Sequence, residues 1–191
     1  MTKLHTLAPS WLVLLIFLAG SSSATTLIPA DFTAMVRESE LIVHGTVIDV
    51  SARTRGSLQT IESLVTVRVA ETLKGTPSEE AVFRVPGGAV GRYRRVMVGA
   101  PEFTTGDEVI VFLTGRAPAM PMPYGLSQGV YRVTRQGGAA AVTPLVATTA
   151  GRVVRGDPSR RPLDPLAFAA RVRMVSGVGD VEARRAVPRV K

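Results

Sequence analysis

Residues 81–113 read AVFRVPGGAVGRYRRVMVGAPEFTTGDEVIVFL. Phe83 and Val85 begin an alternating run that Pro86-Gly87-Gly88 ends, because proline donates no amide and glycine turns at little steric cost. Gly91 to Gly99, GRYRRVMVG, reads as a second extended run that holds Arg92, Tyr93, Arg94 and Arg95 together. Pro101 to Gly106 is a turn in which Phe103 can tuck back against a core. Val109-Ile110-Val111-Phe112-Leu113 is apolar at every position, so it is expected to be the most buried strand, covered on both faces. This centre predicts a mostly β chain, with strands before it that pair with it and segments after it that close the same sheet.

The flanking segments fit that reading. Leu41 to Ser51, LIVHGTVIDVS, changes its apolar phase around Gly45, which predicts a bulge or a sharp coil. Arg53 to Thr60 reads as a polar hairpin with Gly56-Ser57 at its tip. Ile61, Ser63, Val65, Val67 and Val69 alternate with the outward Glu62, Thr66 and Arg68, the pattern of an antiparallel strand with one wet face. Upstream, Phe32, Met35 and Val36 give a short helix within 29–39 one apolar face, with Asp31 as cap or Pro29 near its first position. Such a helix would plug one end of a sheet. Downstream, Ala117 to Tyr124, APAMPMPY, is an irregular loop, Gly125 to Thr134 a last strand, and Ala139 to Val154 a weaker hairpin. Leu166, Ala169, Val172 and Val175 predict a short C-terminal helix after a Pro/Arg linker, with a loose tail from Gly177. No internal repeat is visible.

Composition sets the class and the address. The chain has 191 residues, 46% apolar and 20% charged, which is globular and long enough for a real core. Aromatics are 5%, so the core is expected to be Val, Leu, Ile and Ala. There is no cysteine, which excludes disulfides, Cys-ligated metal, thiol catalysis and a lipoprotein anchor. Lys3, the apolar run Trp11 to Ala19 and the small residues Ser22 and Ala24 predict a signal peptide over 1–24 and a mature chain from Thr25. The apolar run is well short of the ~20 residues that span a bilayer, so no transmembrane segment is expected after processing. The expected address is therefore periplasmic or extracellular. The layout expected is a β-domain over 25–154 and a basic linker, short helix and flexible tail over 155–191. The excess of positive charge sits in the C-terminal quarter: residues 150–191 carry 10 Lys/Arg against 4 Asp/Glu, and residues 25–149 carry 12 against 11. A chain cut after Thr149 is expected to keep its fold, because the alternating strands precede it.

The residues that could carry chemistry do not converge in the sequence. Gly125-Leu126-Ser127-Gln128-Gly129 matches the G-x-S-x-G elbow, but the following VYRVT is strand-like, whereas the elbow needs a helix there. His44 is the sole histidine after residue 24, far upstream, and is read as filling an ordinary strand position. Gly87 to Gly91 has no following Lys-Ser/Thr, so it is a turn and not a phosphate loop. Glu79-Glu80 and Asp107-Glu108 are adjacent pairs that point to opposite sides of a strand, and are read as solvated turn charges. No catalytic residue, metal ligand or cofactor is expected. Arg92, Tyr93, Arg94 and Arg95 remain as the candidate ligand-binding residues, an aromatic face beside three guanidinium groups.

The succession IVHGTV, a Val-rich strand ending LKG, FRVPGG, GAPEFTTGDEVIVFL and GLSQGVYRV resembles a group of exported bacterial proteins of uncharacterised function. The resemblance covers roughly residues 27–135. It implies a five-stranded OB-type antiparallel barrel, like the inhibitory domain of tissue inhibitors of metalloproteinases, here with a short helix at each end. Those inhibitors reach the catalytic zinc through an N-terminal cysteine, which this chain lacks, so that route of inhibition is not implied. No helix is visible between the third and fourth strands, where an OB fold usually has one. The function expected is an exported, non-catalytic binding or interaction module. Its partner would be an anionic polymer or an envelope protein, with nucleic acid the lesser candidate at an exported address. The alternative is a hydrolase with its site around Ser127.

Overall fold

The computed structural model describes residues 30–56, 60–115, 117–145 and 162–177. The expected signal segment, the linker up to residue 161 and the tail from 178 lie outside the described residues. Helix α1 (Phe32–Glu38) leads into β1 (Leu41–Arg55), β2 (Thr60–Lys74) and β3 (Glu80–Pro86). A small hairpin, β4 (Gly88–Val90) and β5 (Tyr93–Arg95), comes next, then β6 (Glu108–Thr114) and the two-residue β7 (Met122–Pro123). A 3-10 turn (Leu126–Gly129) opens onto β8 (Val130–Gln136), β9 (Ala139–Pro144) and finally helix α2 (Pro165–Ser176). As expected, no helix lies between β3 and β6. Among the described residues no helix is long and apolar enough to cross a membrane.

The main sheet runs β3-β2-β1-β6-β8-β9, with β7 beside β6, and its pairings are antiparallel. The mostly β, antiparallel class is as the sequence predicts. The closed five-stranded barrel is not: this sheet has seven strands and stays open, and β4-β5 form a second sheet of two. The physical reason lies in the loop that faces the β3 edge. Pro118, Pro121 and Pro123 bring no amides to it, so a ladder cannot form there. One backbone bond links edge and loop, from Arg84 N–H to Pro121 C=O at 2.9 Å.

The predicted bulge is present. The register of β1 against β2 slips between His44 and Gly45, where a Cβ would lie 2.1 Å from the Arg68 carbonyl oxygen, so only glycine lets the two strands approach. Strand β6 is buried from Val109 to Leu113, and alternate side chains enter two separate cores. On one face Val43, Val47, Val65, Val67, Phe83, Val109 and Val111 pack together. Phe103 does tuck back, its ring 5.4 Å from that of Phe83.

On the other face α1 and α2 lie over Ile42, Ile110, Phe112, Tyr131 and Val133. Asp31 caps α1 by accepting the Ala34 N–H, and Lys74 Nζ donates to the Val36 and Arg37 carbonyls at its C-terminal end. This core departs from the aliphatic expectation. Phe32, Phe112, Tyr131 and Phe168 form one aromatic group, most of it edge-on or tilted. In α2 the buried face is Phe168, Ala169 and Val172, whereas the expected Leu166 is 79% exposed. The helix is therefore part of the core, so a chain cut after Thr149 would lose Phe168, Ala169 and Val172 from it.

Candidate binding cleft

The candidate residues Arg92 to Arg95 lie on the β4-β5 hairpin. Its register pairs Gly88 with Arg95, Ala89 with Arg94 and Val90 with Tyr93, and Gly91 turns it at φ 56°. The strand stops at Arg95 because the next backbone on the facing side, Gly87, has its N–H and C=O bonded to β2, so the extended run expected through Gly99 breaks after three residues. Gly87 N–H donates to Ile61 C=O at 3.0 Å and Ser63 Oγ donates to Gly87 C=O at 2.9 Å, which fixes the hairpin across β2.

All four residues are exposed. At the tip the Arg92 guanidinium lies 5.1 Å over the Tyr93 ring and donates to its hydroxyl at 3.0 Å. Arg94 and Arg95 instead line a cleft of about 290 Å³ beside the hairpin, together with Val50, Val85, Met97 and Phe103. The nearest acid to Arg94 is Glu102 at 3.9 Å, with both side chains largely in water, so that pair does little to neutralise the guanidinium. The cleft thus has apolar residues and two cations in its lining, with Glu102 beside them. Sequence reading missed the next three residues. Val96 and Val98 are 72% and 63% exposed, and with Met97 they form an apolar rim. The signal was there: VMV follows RYRR with no polar residue between.

The acid and base candidates Glu108 and His44 meet, but the hydroxyl candidate Ser127 does not join them. Ser127 sits buried in the 3-10 turn, its N–H bonded to Gly99 C=O at 3.1 Å, and a strand follows it. The positive φ of that turn falls on Gly125 and Leu126, not on the serine. Gln128 is used structurally, its Oε1 accepting the Ala30 N–H. His44 has no hydrogen bond to Ser127. It lies opposite Ile110 in register, its Nε2 2.9 Å from Glu108 Oε1.

Glu108 is not the plain solvated charge expected. Arg135 grips it with Nε on Oε2 at 2.9 Å and Nη2 on Oε1 at 2.7 Å. Asp107 likewise accepts the Thr104 N–H at 2.9 Å and faces Arg132 at 3.2 Å. His44 and Arg135 also border a second cavity of about 330 Å³ beside the start of α2, with Asp164 and Leu166 on its far side. Among the described residues no group of three His, Asp or Glu is placed to hold a metal.

The Arg135 hydrogen bonds, opposed by burial and aided by His44, hold the Glu108 carboxyl below its ordinary value of 4.5. A lowered folded value stabilises the protein above that pH, and the contribution is lost as pH falls through the folded value. Glu108→Gln is expected to lower the melting temperature by a few degrees at pH 7 and to flatten its decline on the acid side. Superimposable profiles for the two proteins would show that the clamp contributes nothing.

No family model matches the chain, and no curated protein or solved structure matches it either.

Proposed function

We propose that the protein is an exported, non-catalytic binding module, periplasmic or extracellular, that takes an anionic polymer through the β4-β5 hairpin. One observation carries this reading: Arg92, Tyr93, Arg94 and Arg95 are all exposed on a hairpin whose base rims a cleft. Three cations beside an aromatic face provide charge and a stacking surface together. The cleft is at the small end of ligand pockets, sized for one unit of a chain and not for a whole drug-sized molecule. Export rests on the N-terminal pattern of Lys3, the Trp11–Ala19 run and the Ser22/Ala24 pair. The non-catalytic half is supported by the separation of His44 from Ser127 and by the turn-to-strand setting of that serine. The strand path β3-β2-β1-β6-β8 supports reading the domain as an OB-type barrel left open at its edge, a fold that binds oligosaccharides and oligonucleotides across its strands.

The test is binding to heparin and to cell-wall polymer across a salt series. Tyr93→Ala removes the platform under Arg92, worth about 0.5–1 kcal/mol, and so is expected to weaken binding about two- to fivefold. Arg94→Gln with Arg95→Gln is expected to reduce the salt dependence as well. Exposed charges act over only ~8 Å at physiological ionic strength, so adhesion by the basic C-terminal charge alone fades as salt rises. Binding that fades with salt and ignores Tyr93 would leave the hairpin as a plain solvated turn.

A further inference from the structure

A second cluster of cations gathers around one carboxylate where β1, β2 and β3 run side by side. Arg53 and Arg55 lie two apart on β1, so they share one side of the sheet, and Glu62 of β2 stands opposite Arg53. Arg84 of β3 joins them, paired in register with Leu64. The alternation of β2 predicts an outward, wet Glu62, yet its side chain is 6% exposed because the arginines enclose it.

The three guanidinium groups are not equally satisfied. Arg53 takes Glu62 Oε1 with Nε at 3.0 Å and Nη2 at 2.8 Å. Arg84 Nη1 and Arg55 Nη1 reach the other oxygen only at 3.5 and 3.6 Å, at or beyond the length of a good charged hydrogen bond. Arg84 Nε is buried, and no group among the described residues accepts its hydrogen. Buried donors in folded proteins are ordinarily bonded, so this one needs an explanation. Three cations around one anion also leave an excess of positive charge in a partly desolvated place, where a charge acts more strongly than in water.

We propose that Arg84 and Arg55 form a binding site for one tetrahedral oxyanion, a phosphate or sulfate group, with Glu62 and Arg53 holding the frame. A guanidinium edge with two N–H groups matches two oxygens of such an ion, and the unmet, buried Nε–H of Arg84 lies on one such edge. Glu62 both positions the arginines and repels the guest, so it sets the affinity low. The loop at Met120 and Pro121 flanks the site, through Arg53 Nη2 near Met120 Sδ and the Arg84 N–H to Pro121 bond. The site uses no residue of the β4-β5 hairpin and stands independently of the function proposed for it.

The experiment titrates inorganic phosphate and sulfate into the full chain at constant ionic strength, with chloride as control, and follows the arginine Nε–H signals by NMR. A saturable shift of the Arg84 signal is expected. Arg84→Gln and Arg55→Gln, the latter at a side chain 57% exposed and safe for folding, are each expected to weaken binding about tenfold or more. Glu62→Gln is expected to do the reverse and tighten it, an effect that a merely structural cluster would not give. Tyr93→Ala is expected to change nothing here, which separates this site from the hairpin. Competition by a sulfated oligosaccharide would identify the group as part of a polymer, and its failure to compete would identify a free ion. The absence of a saturable shift, or binding by both arginine variants as tight as the parent's, overturns the proposal.

Discussion

Val111→Asp is expected to lower stability by about 3–5 kcal/mol, a large share of the roughly 5–15 kcal/mol that holds an ordinary domain together. Val111 is fully buried at the middle of β6, between Val43 on β1 and Val130 on β8. A carboxylate there meets neither water nor a cation. The protein would have to bury an uncompensated charge, protonate it, or open the sheet. Thermal unfolding followed by circular dichroism is expected to show a midpoint lower by about 10 °C or more. The control is Val82→Asp, at a side chain 42% exposed on β3, which should move the midpoint little. If Val111→Asp melted with the parent, β6 could not be the centre of the sheet.

Phe168→Ala is expected to cost about as much, roughly 3–5 kcal/mol, by a different route. The Phe168 ring lies 5.7 Å from Phe32, 6.2 Å from Phe112 and 4.8 Å from Tyr131, so its removal leaves a cavity bounded by three rings and two helices. Leu166→Ala, two residues away on the wet side of the same helix, is expected to be nearly silent. The contrast tests the packing of α2 and not its helix propensity, because both substitutions give alanine in one helix. A chain ending before residue 162 should lose at least as much stability as Phe168→Ala, since it also removes Ala169, Val172 and the Val142–Leu163 bridge. Equal melting of that short chain and the full one would place the helix outside the core.

The parts of the fold that were legible in the sequence are those with local causes. Five successive apolar residues in β6 report two covered faces without reference to any partner. The phase slip at Gly45 and the Pro86-Gly87-Gly88 stop are likewise statements about the chain where they occur. Phe168 was not legible in this way. In a short helix with Leu166, Ala169, Val172 and Val175 also apolar, periodicity alone does not say which side faces the sheet, and the approach of β6 and β8 decides it.

The candidate site was half legible for the same reason. The run Arg92 to Arg95 could be singled out by composition, and its exposure on a hairpin follows from the glycines around it. That Arg94 and Arg95 border a cleft floored by Val50 and Val85 depends on strands about ten and forty residues away folding beneath them. Glu62 was misplaced because alternation gives a side of the strand and not what covers it. Three arginines from two neighbouring strands close over that carboxylate, and no window along β2 contains them.

By itself, then, the sequence determined the antiparallel β class, the central strand, the bulge, the N-terminal helix and the exposed basic hairpin, because period-two patterning, glycine and proline act within a few residues. Only the tertiary structure decided that the sheet stays open, since closure depends on whether the β3 edge meets amides or the prolines of a loop about 35 residues further on. Tertiary structure alone likewise made α2 part of the core, clamped Glu108 between His44 and Arg135, and gathered three arginines on Glu62. Each of these is a contact between segments far apart in the chain, where the energy comes from pairing two surfaces and neither surface alone specifies its partner.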